Sequence, residues 1–434
     1  MLSKQDNETM CRTGPGTPMG DAMRRFWMPV AHATDLPESG GDPKVVELLG
    51  ERFLLWRDGE GRPGLFAEGC LHRGASLQLA RSEPDGLRCI YHGWKFAVDG
   101  KVLETPNVAD PRFRERIKGR TFPVQVAGGL VWAYLGPKDK VPEFPHYPFM
   151  DQPDERRINV MAVVNCNFVQ VIEGLVDSSH LTILHAGALA QTSGMDMDFA
   201  RKTTHMQFDA SPDIEADETD FGFHYVALRT VGDKRMARIA SFIAPCFLCN
   251  ANGDLWFAMV PVNDERCNFY HVWWHAENRI GIDPLRSRQL NFVGLDEPTL
   301  ERFGMTPGTC DTPAAMTWRN GYGQDRVAQR GGHFSGLHTF TQEDAGCSIS
   351  AGPIRDRSQE MLSSADLAIT QLYRSLLACI RGAKQGGVIA ALAADVGSVV
   401  GTSGELEPGQ DWRSLVPHHK IVSSPHLAAS RAAA

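Results

Sequence analysis

Two short segments each carry one cysteine and one histidine, Cys70-x-His72 in GCLHRGAS and Cys89-x-x-His92 in RCIYHGW, with Pro84 and Gly86 on the stretch between them. That stretch interrupts regular structure, so each arm is free to form a tight turn presenting one thiolate and one imidazole. A single structural zinc would more usually draw each pair from one residue type. Mixed arms suit two metals instead, with both thiolates on one and both imidazoles on the other. The ten cysteines of the 434-residue chain are too sparse for a disulfide scaffold, which favours ligands or plain core residues.

Two turns closing from opposite sides on a diiron-disulfide cluster form the Rieske arrangement. Imidazole in place of thiolate leaves the cluster less negative and raises its potential, so it can accept an electron from a flavin-type or ferredoxin donor. The surroundings suit such turns. From about residue 25 to 135, VVELLG, RFLLWRDGEG, LFAEG, LRCIYHGWKFAVDG and GLVWAYLG read as short strands that stop at Gly or Asp-Gly. This predicts a small all-β domain.

Pro137, Pro142, Pro145, Pro148 and Pro153 then prevent regular pairing, and the domain boundary is placed there, giving domains 1–145 and 146–434. Beyond it, DFGFHYVALRTVG, RIASFIAPC, DLWFAMVPV and NFYHVWWHAE alternate as strands of an antiparallel sheet. A long helix is expected from near Ser364, with Leu372, Leu376 and Ile380 on one stripe and a stop at Gly382. The fold class is therefore α+β, with the second domain's sheet packed against helices. The Ala-rich end, LAASRAAA, reads as a loose tail.

The formal charge of -8 is spread along the chain, which argues against a nucleic-acid partner. The polar start lacks a signal-peptide core, and the apolar stretch GGVIAALAADVGSVV is short and interrupted by Asp395, so no membrane span and a cytoplasmic location are expected.

A second constellation lies in NCNFVQVIEGLVDSSHLTILH. Asp177 and His180 would share a helix face, whereas His180 and His185, five apart, would diverge on an ideal helix. Convergence on one metal requires a break or a π-bulge there. Two histidines with one carboxylate make the facial triad of ferrous oxygenases. Asn165, Asn167, Gln170 and Glu173 on the same region are expected to cap or face solvent. Cys246-x-x-Cys249 reads as ordinary core, and Trp273, Trp274 and His275 as core or pocket wall.

GPGTPMGDAMRRFWMPVA, CLHRGASLQLA, CIYHGWKF, GGLVWAYLGP and EGLVDSSHLTILH resemble the Rieske non-haem iron oxygenases of the phthalate dioxygenase type, oxygenase component or alpha subunit. The resemblance implies a Rieske [2Fe-2S] domain on Cys70, His72, Cys89 and His92, and a helix-grip catalytic domain with mononuclear Fe(II) on His180, His185 and an acid. It places that acid in TQEDAGCSISAGPIRDRSQE at Asp344, with Glu343 the alternative if the register is one residue off. It implies that Asp177 bridges a cluster histidine to an iron histidine between neighbouring subunits of a trimer or stacked trimers. It also implies an NAD(P)H-dependent flavin/iron-sulfur reductase as partner. The expected substrates are dioxygen and an aromatic carboxylate, held by Arg238 and Arg201 from the sheet region. Dihydroxylation of such an acid is the leading expectation, and monooxygenation or O-demethylation of an aromatic ether or side chain is the alternative.

Overall fold

The computed structural model describes residues 2–384, 389–392 and 394–416, so the expected Ala-rich tail lies outside the described residues. The chain divides into two compact units, one of residues 14–16 and 23–144 and one of residues 1–13, 17–22 and 145–434.

The first unit is all-β. Lys44–Leu48, Glu51–Arg57, Pro63–Ala67 and Thr121–Phe122 form one antiparallel sheet, and Arg81–Glu83, Gly86–Arg88, Lys95–Phe96 and Val102–Glu104 another. A third pairs Trp27–His32 and Val124–Ala127 with Leu130–Tyr134. Leu54, Trp56, Phe66, Leu87 and Phe96 pack into a core that also takes in Cys70 and Cys89. The two cysteines are thus set by the core, while the turns carrying the histidines rise from it.

The second unit is built on an eight-stranded antiparallel sheet. Its order is Arg157–Val164, Arg266–Trp274, Leu255–Asn263, Phe247–Cys249, Lys234–Ile243, Gly222–Val231 and Asp213–Glu218, with Thr402–Leu406 pairing to Lys234–Ile243. Cys246 and Cys249 are buried in this sheet as free thiols. Helix Phe168–Val176 packs on the 255–263 and 266–274 strands, and helix Leu367–Lys384 on the 213–218 and 222–231 strands. The latter buries Ile369, Leu372, Tyr373, Leu376 and Ile380. It continues through Gly382, where a stop was expected, because the glycine sits in a last turn already held by the helix ladder.

Of the four polar residues upstream of Asp177, Asn167 caps as expected, and the other three are tied to distant partners instead of facing solvent. Asn167 caps the Phe168–Val176 helix and donates to the carbonyls of Cys11 and Asp264. Gln170 donates to Ser348 and Gly352 carbonyls, and Asn165 donates to that of Cys310 while accepting from Arg266. Glu173 pairs with the fully buried Arg357 and accepts from Tyr373 Oη at 2.7 Å. Arg357 also donates to Asn7 at 2.9 Å, so the Lys4–Cys11 helix is held by the same network. That network is why residues 1–13 group with the C-terminal unit, whereas the sequence boundary put them with the cluster domain.

Among the described residues no helix is long and apolar enough to cross a membrane.

Removing one partner of a buried pair is destabilising even though Arg355 lies 3.5 Å from Glu173, so Arg357→Met is expected to cost the second unit about 3 kcal/mol. A lowered urea midpoint, followed by a fluorescence probe of that unit, checks it; an unchanged midpoint contradicts it.

Candidate metal centres and substrate cavity

In the first unit the two Cys/His arms are built alike. Gly74 N–H donates to Cys70 C=O at 2.8 Å and Gly93 N–H to Cys89 C=O at 3.0 Å. Cys70 N–H donates to Ala75 C=O at 2.8 Å and Cys89 N–H to Trp94 C=O at 2.9 Å, closing each loop onto itself. Gly74 and Gly93 both have φ of +74°, a left-handed conformation that a side chain would strain, so these turns require glycine. The loops place His72 and His92 with their Nδ1 atoms 3.1 Å apart. The His72 ring is stacked on Trp94 at 4.6 Å between centroids. Burial pushes the Cys70 thiol up to about 11, and the neighbouring Cys89 adds to the shift. Two buried thiols and two facing imidazole nitrogens suit a cluster that takes sulfur at one iron and nitrogen at the other.

The second centre depends on an interruption. Helix Phe168–Val176 ends at Asp177, whose backbone turns extended at φ -86°, ψ 115°. Asp177 Oδ1 then accepts from Ser179 N–H at 2.7 Å and from its hydroxyl at 2.6 Å, a local turn that competes with continuing the helix. Buried Arg229 pins the bend by donating to the carbonyl and hydroxyl of Ser178. A one-turn helix, Leu181–Leu184, follows, and the chain leaves it at His185 before Ala186–Thr192. The convergence therefore comes from two helix ends and not from a shared face or a π-bulge.

His180 Nε2 and His185 Nε2 face the same atom, Asp344 Oδ1, at 3.5 and 3.1 Å. One ligand atom from each of the three lies within 4.8 Å of the others. The opposite nitrogens are held too: His180 Nδ1 lies 3.3 Å from Asp177 Oδ2, and His185 Nδ1 lies 2.7 Å from Glu343 Oε2. Glu343, fully buried and accepting from Ser335 Oγ at 2.5 Å, is thus on the outer side of His185. The inward-facing acid is Asp344.

Among the described residues the buried His180 Nε2 has no hydrogen-bond partner. An orphaned imidazole nitrogen facing a carboxylate and a second imidazole is the donor set a divalent iron takes. The electrostatics agree. Burial alone would depress His180, but Asp177 and Asp344 outweigh it and raise it to about 10. Burial likewise opposes ionisation of Asp344, yet the two imidazoles hold its carboxyl well below the usual range. The pocket is therefore poised to hold positive charge.

A cavity of about 100 Å³ opens on this triad. Leu181, Phe257, Phe269 and Phe340 give it apolar walls, and Arg238 and His271 are polar groups among them. Arg238 is buried and donates to Asn252 Oδ1 at 2.8 Å and Asn250 Oδ1 at 3.1 Å. Burial brings it down to about 10, which still leaves it charged at neutral pH. Among the described residues it pairs with no carboxylate.

Arg201 is a correction. It lies on helix Asp198–Thr203, not in the sheet, and its exposed guanidinium pairs with Asp196 and Asp198. Its own helix supplies i−3 carboxylate pairing that keeps it on the surface. Trp273 lines the cavity, while Trp274 packs on Phe149 and His275 accepts from Glu277 and Asn278 N–H in an exposed turn. Glu343 as a holder of His185, and His271 in the wall, went unrecognised in the sequence. Alternation in NFYHVWWH does place Phe269, His271 and Trp273 on one face.

Residues 26–125 match the Rieske [2Fe-2S] domain family and residues 133–431 the LigXa C-terminal domain-like family. The phthalate 4,5-dioxygenase oxygenase subunit of Pseudomonas putida is 32% identical over 399 residues, 89% of this chain and 88% of that protein. The 3-chlorobenzoate-3,4-dioxygenase oxygenase subunit of Comamonas testosteroni is 32% identical over 405 residues, 90% and 91% of the two chains. The 5,5'-dehydrodivanillate O-demethylase oxygenase subunit of Sphingobium sp. (strain NBRC 103272 / SYK-6) is 31% identical over 384 residues, 87% and 80%. The solved structure of NdmA from Pseudomonas putida CBB5 shares the fold, with a TM-score of 0.56 at 18% identity over 91% of this chain and 100% of that one. This chain belongs to the Rieske non-haem iron oxygenases of the phthalate dioxygenase type, as an oxygenase component. Members carry a Rieske [2Fe-2S] cluster and a mononuclear iron, and the donor sets described above fit both.

Groups that hold a ligand histidine from behind typically matter 10–100-fold for metal affinity, so Glu343→Ala is expected to weaken iron binding by about that factor. Glu343→Gln, which keeps an acceptor, loses less. Chelator competition with iron analysis reads both, and equal retention by wild type and Glu343→Ala contradicts the expectation.

Proposed function

We propose that the chain is the terminal oxygenase of a multicomponent system that dihydroxylates an aromatic carboxylate of the phthalate, isophthalate or chlorobenzoate class, giving a cis-dihydrodiol. The observation that carries the reading is Arg238: a buried guanidinium with no acidic partner among the described residues, in an apolar cavity that also exposes the metal triad. A planar cation so placed binds a carboxylate through two parallel hydrogen bonds, and apolar walls accept the attached ring. Asn250 and Asn252 hold the guanidinium through their carbonyl oxygens without neutralising it.

When bound, the cluster supplies electrons one at a time and the ferrous ion activates dioxygen. His180, His185 and Asp344 would hold that ion, and Cys70, His72, Cys89 and His92 the cluster. Asp177 would fix the His180 ring and, across a contact between copies in a trimer or stack of trimers, accept a cluster histidine. It is well placed to orient rings, since it already accepts from Ser179 and lies beside His180. A separate NAD(P)H-dependent flavin/iron-sulfur reductase would supply the electrons. The second reading, O-demethylation or other monooxygenation, is supported by the similarity to the O-demethylase oxygenase subunit.

Arg238→Leu is expected to weaken binding of an aromatic acid by about tenfold to a hundredfold, as befits loss of a charge-assisted contact. Calorimetric titration of the anaerobic iron-loaded protein measures this, and unchanged affinity would remove the carboxylate from the reading. Turnover under labelled dioxygen separates the chemistries: two labelled atoms in a diol mean dihydroxylation, one means monooxygenation. Metal analysis should return about three irons per chain, two for the cluster and one for the triad; two would exclude the oxygenase.

A further inference from the structure

His271 is the cavity residue that the proposed function leaves unused. It sits on the Arg266–Trp274 strand between Phe269 and Trp273, which share its face, and is paired in register with Phe257 on the neighbouring strand. The three rings enclose it: Phe269 at 3.9 Å, Phe257 at 5.0 Å edge-on and Trp273 stacked at 5.5 Å. The residue is only 5% exposed. Among the described residues its buried Nε2 has no hydrogen-bond partner.

A buried polar nitrogen without a partner is destabilising, and proteins leave few of them. Here the ring is wedged among aromatic side chains and lines the same cavity as Arg238 and Asp344. It is an imidazole placed where phenylalanine would pack without that cost. Its partner is then something that enters the cavity.

We propose that His271 is a specificity-determining residue that hydrogen-bonds a hydroxyl on the ring of the aromatic acid, so that the site prefers ring-hydroxylated acids to their unsubstituted counterparts. This rests on the reading above, in which Arg238 takes the carboxylate. Burial pushes His271 down to about 3, against a small opposing pull from Asp344, so the ring is neutral at working pH. A neutral imidazole has one donor and one acceptor, and a hydroxyl can serve as either partner whichever tautomer is present.

The test is calorimetric titration of the anaerobic, cluster-intact, iron-loaded protein with benzoate, 3-hydroxybenzoate and 4-hydroxybenzoate. Wild type should bind one hydroxybenzoate up to about tenfold more tightly than benzoate, the size of one well-made hydrogen bond. In His271→Phe the ratio of hydroxybenzoate to benzoate affinity should fall to about one, and in His271→Asn, which keeps a donor and an acceptor, part of the preference should survive. No hydroxyl preference in wild type, or a ratio untouched by His271→Phe, overturns the proposal. The wild-type comparison stands even if a variant fails to fold. Failure of every acid to bind overturns the carboxylate reading together with this one, whereas benzoate binding without a hydroxyl preference overturns this one alone.

Discussion

Two imidazoles five residues apart must point at one carboxylate oxygen, and everything at the catalytic centre depends on how the backbone allows it. An uninterrupted helix would turn His180 and His185 through about 500° relative to each other, which leaves them on different faces. The chain avoids this by ending one helix at Asp177 and another at His185. Neither end is left loose. Asp177 and Ser179 bond to each other, Arg229 holds Ser178, and Tyr225 Oη donates to the Leu175 carbonyl at 2.8 Å. Both supporting side chains come from the Gly222–Val231 strand, so the sheet sets the geometry of the bend.

The two imidazole rings are then fixed from outside by carboxylates of different origin. Asp177 is local to His180, three residues away, whereas Glu343 reaches His185 across a separation of 158 residues. The adjacent acids Glu343 and Asp344 flank the two nitrogens of one imidazole, with Glu343 at Nδ1 and Asp344 at Nε2. Asp344 and the Arg238 guanidinium, which among the described residues pairs with no carboxylate, line one largely apolar cavity.

What was legible in the sequence was local. Cys70, His72, Cys89 and His92 stand in turns whose chemistry is carried by a few neighbours, and the alternating strands from 222 to 274 follow from side-chain period alone. The need for a break near His185 also followed from helix geometry. What was missed is tertiary. The strand Arg157–Val164 and the strand Thr402–Leu406 depend on partners distant in sequence. Glu173 and Gln170 looked like solvent-facing helix positions because nothing nearby announces Arg357 or the Ser348 carbonyl. Arg201 failed for the opposite reason, since acids three and five residues before it capture the guanidinium at the surface.

The bond from Arg357 to Asn7 spans 350 positions. During synthesis the Lys4–Cys11 helix emerges well before Arg357, which receives it. The all-β unit, by contrast, is complete once residue 144 has left the ribosome. Vectorial synthesis thus orders assembly: the cysteine and histidine turns can close while translation continues, and the catalytic body must wait for its far end before its first helix has anywhere to dock.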